Sequence, residues 1–441
     1  MRTVRAAIYT LGCKVNSYES TAIAEKLRKN GIEICSHGEK ADICIINTCA
    51  VTSEAERKSR QIIRRMISAN ESAYVIVTGC SAQADAERIL AIKGVSAVCG
   101  NREKMKASDL AIEYAEHLRR SDNYSNIGII CGCDLENAPF ENMSISSSER
   151  TRAVLKIEDG CESRCAYCII PSLRGKIRSK DPDDVISEAR VLANGGYREI
   201  VLTGIEVSAY GRDLGQRDGL ISLIEKLDTI PQIERIRLGS LDPSAINDDF
   251  ISRAACIRSF APHFHMSLQS GCDKTLFSMK RRYNTRSVKE KIALIRQKMP
   301  SSTFTADIIV GFPGETDADF DVTSNFLDSL DLLSFHIFSY SKRPGTIAAE
   351  MPDQVTTEIK SSREKLLAEL RDRMSARVLD SYIGKELDVM IEEYKDTVGA
   401  IGHSANFIEI ALPGAPKGLH GHILKVLCKN HEDGIMFAEI L

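Results

Sequence analysis

The chain has no tryptophan among its 441 residues, no long apolar run and almost no net charge. Each absence narrows the possibilities. A helix crossing a bilayer needs roughly 18 or more consecutive apolar residues, and candidates such as ADICIINTCAV are broken by Asp42 and Asn47, so no membrane protein is expected. The start MRTVRAAIYTLGC is apolar only from Ala6 to Leu11, too short for a secretory signal; the expected setting is cytoplasmic. A formal net charge of −3 gives no global sign of a polyanionic partner. Fourteen cysteines in so long a chain are too dilute for a disulfide scaffold, which leaves metal or thiol chemistry for those that cluster. Apolar and charged fractions of 43% and 27% match folded globular proteins, and the length suggests about two to four domains, here three.

Short apolar runs alternate with helical stretches over residues 1–120. AAIYTLG, IEIC, ICIINT and YVIVTG read as strands; SYESTAIAEKLRKN and the stretches 53–69 and 83–92 read as helices. That is an α/β pattern with a doubly wound parallel sheet. In such sheets ligands gather beyond the carboxyl ends of the strands, and Cys13, Cys49 and Cys80 each follow a predicted strand directly. One such cysteine alone reads as a small buried residue; three in equivalent positions read as a set. Residues 121–148, rich in Ser and Asn, read as a connector, with Cys131 and Cys133 as spare thiols.

From 149 to 375 a second series begins, with strand candidates AVLKIE, EIVLTG, RIRLGS, HFHMSL, ADIIVGF and SFHIFSY. Six βα units predict an open, partial (βα)6 barrel whose active face lies at the carboxyl ends of its strands. Asp181 and Pro182 mark a helix start, as N-cap and first helical residue. After a helix over about 357–380, residues 376–441 alternate at period two between Gly, Pro and Asn turns, which predicts a small antiparallel β-barrel of OB-like size.

The stretch GCESRCAYC places Cys161, Cys165 and Cys168 within eight residues. A closed zinc site takes four protein ligands, and the nearest histidines, His263 and His265, lie on a distant predicted strand. Zinc remains the alternative reading. An iron–sulfur cubane takes one thiolate per iron, so three cysteines leave one iron open to a substrate.

Cys161-x-x-x-Cys165-x-x-Cys168, after the first strand of a partial barrel, resembles the signature of the radical S-adenosylmethionine superfamily. The resemblance implies a [4Fe-4S] cluster whose open iron chelates S-adenosylmethionine and whose electron cleaves it to a 5′-deoxyadenosyl radical. It further implies cofactor contacts from Tyr167, from Gly204 and Glu206 in LTGIE, and from Asp307 with the following GFPGE; Glu206 has the plainer reading of a surface carboxylate. GFPGET is no phosphate-cradling loop, for it lacks the lysine. TLGCKVNSYES, NTCAVT and TGC ahead of the barrel, DGCESRCAYCIIPSLRGKIRS at its start, LQSG and DIIVGFPGET within it, and a terminal barrel like a TRAM domain resemble the methylthiotransferases over essentially the whole chain. That resemblance implies a second [4Fe-4S] cluster on Cys13, Cys49 and Cys80, S-adenosylmethionine as both methyl donor and radical source, a sulfur donor, and a flavodoxin- or ferredoxin-like electron donor. GCKVNSYES with CIIPSLRGKIRS most resembles the enzymes that methylthiolate carbon 2 of N6-threonylcarbamoyladenosine beside the anticodon of tRNA. Isopentenyladenosine enzymes typically carry Gln and Met where Lys14 and Val15 stand, and ribosomal-protein aspartate enzymes an Asp in place of Glu19.

Local charge suits an RNA partner. From 152 to 180, Arg152, Lys156, Arg164, Arg174, Lys176, Arg178 and Lys180 face only Glu158, Asp159 and Glu162, a basic rim suited to phosphate. Arg174, Lys176 and Arg178 there, with Lys280, Arg281 and Arg282 in SMKRRYN, are the expected RNA contacts; the plainer reading is a solvated basic face. The terminal barrel is acidic, and its His403, His420, His422 and His431 read as surface histidines. The competing class is a non-catalytic iron–sulfur electron carrier or RNA-binding scaffold. Cys35, Cys44, Cys99, Cys256, Cys272 and Cys428 receive no role.

Overall fold

The computed structural model describes all residues except 1, 37, 121–123, 125–127, 133–134, 136–137 and 149; the Cys133 expectation lies outside the described residues. Six parallel strands form the N-terminal sheet: β1 (Val4–Thr10), β2 (Ile32–Ile34), β3 (Ile43–Thr48), β4 (Tyr74–Gly79), β5 (Ala97–Cys99) and β6 (Ile129–Cys131), in the order β2-β1-β3-β4-β5-β6. Every residue of β3 and of β4 is buried, which is why both read as unbroken apolar runs. The edge strand β6 falls inside the segment expected to be a connector. It pairs Cys99 with Cys131, and three residues are too few to register as a strand by periodicity.

The first helix, α1 (Lys14–Lys29), starts directly at Cys13, earlier than its polar face suggests. The expected helix over 83–92 is broken into Cys80–Ala84 and Ala86–Leu90, because Asp85 leaves helical geometry and caps the second piece.

The six expected barrel strands appear as Ala153–Lys156, Glu199–Thr203, Arg235–Leu238 with its continuation Ser240–Leu241, His263–Gln269, Thr303–Val310 and Ser334–Ser339. All pair in parallel, in chain order, and the set stays open between its first and last strands. Asp181 accepts from the backbone of Asp183 as N-cap, with Pro182 as first helical residue.

A closed five-stranded barrel ends the chain, as expected of a TRAM-like unit, but it is not wholly antiparallel. Glu409–Leu412 pairs in parallel with Ile435–Ile440, since the long connection between them returns the chain in the same direction. This barrel seats on the amino-terminal ends of the larger one: Arg235 donates to the carbonyls of Asp388 at 2.6 Å and His403 at 3.2 Å, and Tyr382 to that of Ser301 at 3.1 Å. The cysteine loops thus occupy the opposite, carboxyl-terminal end. Among the described residues no helix is long and apolar enough to cross a membrane.

Candidate radical and sulfur site

Cys161, Cys165 and Cys168 lie on one loop ahead of the short helix Ile170–Arg174. The loop is pinned by its own backbone: Cys161 N donates to Gly175 O, Ala166 N to Met279 O and Cys168 N to Cys165 O, all at 3.0–3.1 Å. Polar groups already address the sulfurs. The amide of Ser163 donates to Cys161 Sγ at 3.3 Å, and Arg281 Nη1 donates to Cys165 Sγ at 3.2 Å. Cys161 Sγ in turn donates to Glu206 Oε2 at 3.0 Å. Burial pushes the Cys161 thiol up and that of Cys168 to about 11, so cationic iron is needed to make them thiolates. Such a loop, with N–H donors on its sulfurs, fits an anionic thiolate cluster.

Tyr167 backs the loop against Ala166, Met279 and Phe312. Gly204 is required by close approach: a Cβ there would stand 2.5 Å from Glu158 Oε2. Glu158, which the sequence suggested only as a carboxylate facing the basic rim, is fully buried, accepts from the amide of Glu206 at 2.7 Å and leaves Oε1 without a partner. Burial raises its pKa well above the ordinary range, which makes it a neutral acid beside the loop. Nothing in EDGC distinguishes that carboxyl from Asp159.

Cys13, Cys49 and Cys80 follow β1, β3 and β4, which are neighbours in the sheet. Their spacing in the chain is wide, yet they share one edge. Gly79 holds φ +97°, and a Cβ there would lie 2.4 Å from Thr48 O; a Cβ on Gly12 would press on Cys49 Sγ at 3.1 Å. Both glycines keep the edge open for sulfur. Burial raises the Cys49 thiol to about 11, with Cys80 and Cys13 close enough to add to it, and Asn101 Nδ2 donates to Cys80 Sγ at 3.5 Å. Each set offers three thiols, one short of the four protein ligands of a closed zinc site.

The two sets abut. Cys80 packs with Ala50, Leu173 and Ile169, so the helix following Cys168 lies against the helix begun by Cys80. A buried ion network ties the same parts together: Glu19 on α1 accepts from Lys104, Lys156 and Arg174, and Asp159 accepts from Lys156 and Arg174.

Models of two families match the chain: the uncharacterized protein family UPF0004 over residues 5–100 and the radical SAM superfamily over 155–327. The threonylcarbamoyladenosine tRNA methylthiotransferase MtaB of Bacillus subtilis is 36% identical over 95% of this chain and 92% of its own length. Its counterpart in Thermotoga maritima is 36% identical over 89% and 87%. This chain is a radical SAM methylthiotransferase. The tRNA-2-methylthio-N(6)-dimethylallyladenosine synthase of Acetivibrio thermocellus is 32% identical over 88% of this chain and 80% of its own. The radical S-adenosylmethionine methyltransferase TsrM of Kitasatospora setae, at 13% identity and TM-score 0.58 over 79% of this chain and 77% of its own, shares the fold. Family membership brings a [4Fe-4S] cluster and S-adenosylmethionine to the methylthiotransferase.

The basic rim is largely internal. Arg174 is fully buried in the ion network; Arg178 is buried on the carbonyls of Arg174 and Lys176 and near Asp159; Lys156 and Lys180 are buried on Glu19, Asp159 and Glu188. Local counting fails because two of the three neutralising carboxylates, Glu19 and Glu188, come from other segments. Arg281 is also withdrawn from solvent, held by Asp242 and Cys165. Lys176, Lys280 and Arg282 are exposed.

Asp307 sits within Thr303–Val310, the strand expected over ADIIVGF. It accepts from His265 Nε2 at 3.1 Å, and with His336 the three offer ligand atoms within 4.8 Å of one another. His265 also engages Thr305 through Nδ1 at 2.8 Å, so both its nitrogens are committed to a hydrogen-bonded chain. That chain borders a chamber of about 1200 Å³ running from Lys14 through the barrel interior to the terminal barrel. At its far end Phe407, at φ +71°, is stacked between His263 and His403, with Arg152 and Arg237 over its ring. Nothing in the sequence around Phe407 marks it for this position.

Proposed function

We propose that this methylthiotransferase acts on tRNA, placing a methylthio group on carbon 2 of N6-threonylcarbamoyladenosine next to the anticodon, with Cys161, Cys165 and Cys168 holding one [4Fe-4S] cluster and Cys13, Cys49 and Cys80 a second. The observation that carries it is the abutment of the two cysteine sets through Cys80, Leu173 and Ile169. A sulfur-bearing site and a radical site must lie close, because a carbon radical has to meet sulfur before it meets solvent. The substrate follows the activity for which relatives aligning over nearly the full length are named.

When bound, the cluster on the Cys161 loop supplies the electron that cleaves S-adenosylmethionine. The chain's own groups do the rest. Arg281 and the Ser163 amide hold the loop's sulfurs, Tyr167 and Gly204 shape the cofactor side, and Glu206, freed from Cys161 once that thiol is a ligand, becomes an acceptor for the cofactor's ammonium. The chamber receives the nucleoside from its Lys14 end, next to Cys13, and exposed Lys176, Lys280 and Arg282 supply phosphate contacts. The reading requires a flavodoxin- or ferredoxin-like reductant, a sulfur donor and a cytoplasmic setting. Deleting the protein from its host and analysing tRNA nucleosides tests it: methylthio-threonylcarbamoyladenosine disappears. Its persistence, with loss of the methylthio-isopentenyl nucleoside instead, transfers the chain to the other substrate.

A further inference from the structure

Lys14 immediately follows Cys13 and opens α1, and its side chain lines the chamber. No partner stands within hydrogen-bond or ion-pair distance of its ammonium among the described residues, whereas three other cations of that lining are matched: Arg152 by Glu392 at 3.1 Å, Arg237 by Glu199 at 2.6 Å and Arg371 by Asp372 at 2.9 Å. Arg152, Arg237 and Arg150 are near enough to repel it, and Asp307 attracts it less strongly. The first turn of α1 holds no acidic residue, so the helix dipole adds to the positive excess. A cation placed against a helix N-terminus and three guanidiniums is unfavourable for folding alone, and such conflicts cluster where function repays them. Among the described lining cations, Lys14 and Arg150 therefore stand without a carboxylate, and of the two Lys14 is the one adjoining the cysteine edge, next to Cys13.

We propose that Lys14 is the counter-ion for a carboxylate carried on the nucleobase, and thus a specificity-determining residue for an anionic N6 substituent. This rests on the substrate reading above, in which the threonine moiety supplies that carboxylate. A neutral, apolar substituent filling the chamber would displace water from the exposed Lys14 ammonium without pairing it, and discrimination by an unmatched polar group exceeds that from shape. Backbone phosphate is the competing anion, and the test separates the two.

Anticodon stem-loop RNAs carrying N6-threonylcarbamoyladenosine, as the free acid and as its methyl ester, are given to the iron- and sulfide-reconstituted enzyme, and both equilibrium binding and kcat/KM are measured. Replacing Lys14→Met is expected to cost about 100-fold in kcat/KM on the acid and less than about threefold on the ester, with weaker binding confined to the acid. Lys14→Arg, which keeps the charge, recovers most of the loss. The melting temperature of Lys14→Met does not fall, because a crowded cation has been removed. Equal losses on acid and ester overturn the proposal, for they mark a phosphate contact or a structural role. A wild-type enzyme that ignores both RNAs and thiolates an isopentenyladenosine stem-loop overturns the substrate reading, and the carboxylate with it.

Discussion

The two cysteine sets solve the same problem by opposite means. Cys161, Cys165 and Cys168 come from one loop held by its own backbone hydrogen bonds, while Cys13 and Cys80, 67 positions apart, are brought together with Cys49 only by the order of β1, β3 and β4. Buried amides hold the scattered set: Asn16 donates to Leu11 O at 2.7 Å and Thr48 O at 3.0 Å, and Asn47 donates back to Asn16 O at 3.0 Å. A loop can be adjusted one residue at a time. A sheet edge moves only with its core, so the second set is rigid by construction.

The sharpest way to break the comparison is to remove one thiol from each set. Cys161→Ala is expected to lower reductive cleavage of S-adenosylmethionine to below about one-thousandth of wild type, since the three loop thiols act as a unit. Cys49→Ala is expected to abolish methylthiolation while cleavage stays within about tenfold of wild type. Each variant should hold about four irons per chain against about eight for the parent after anaerobic reconstitution. The readouts are 5′-deoxyadenosine yield, methylthio product and iron content. If the two variants behave alike, the division of labour between loop and sheet edge is wrong.

That contrast also explains what could be read from sequence. The loop set is a spacing, visible without any fold, whereas the edge set emerged from strand ends in YTLGC, INTC and VTGC. The barrel was legible for the same reason: its six strands are apolar runs separated by helices of regular length. Charge was not. Arg174, Arg178 and Lys180 looked like an RNA-facing rim because Glu19 and Glu188, which neutralise Arg174 and Lys180, lie far along the chain. Arg281 looked like surface for the same reason, until Asp242 and Cys165 closed on it. Lone polar groups such as Glu158, and the chain from His265 to Asp307, depend on which strand neighbours which, a relation that periodicity does not carry.

The ion network offers a third, smaller intervention, because it ties α1, which Cys13 begins, to the helix that follows Cys168. Arg174→Met removes a buried guanidinium shared by Glu19 and Asp159. Stranding buried carboxylates costs about 3–5 kcal/mol, read as a lower denaturant midpoint of the apoprotein. Because the network joins both sets, iron retention should fall at both. A loss confined to the loop set would show that the sheet edge does not depend on the contact.

The smallest effect is a pH dependence that isolates Glu19. Although burial opposes its charge, Arg174, Lys104 and Lys156 outweigh that and hold its carboxyl down at about 2. A depressed folded-state pKa contributes stability that is complete above the unfolded value, near 4.5, and is lost as pH falls toward the folded one. Comparing wild type with Glu19→Gln removes the other carboxylates from the measurement, including Glu188, whose pKa burial shifts the opposite way. In urea unfolding of the apoproteins, the difference between the two should be constant above about pH 5 and shrink steadily below about pH 4.5, by on the order of a few kcal/mol at most. A difference that grows as pH falls would mean that Glu19 is protonated in the folded protein. The cations joining the two sites would then be held by Asp159 alone.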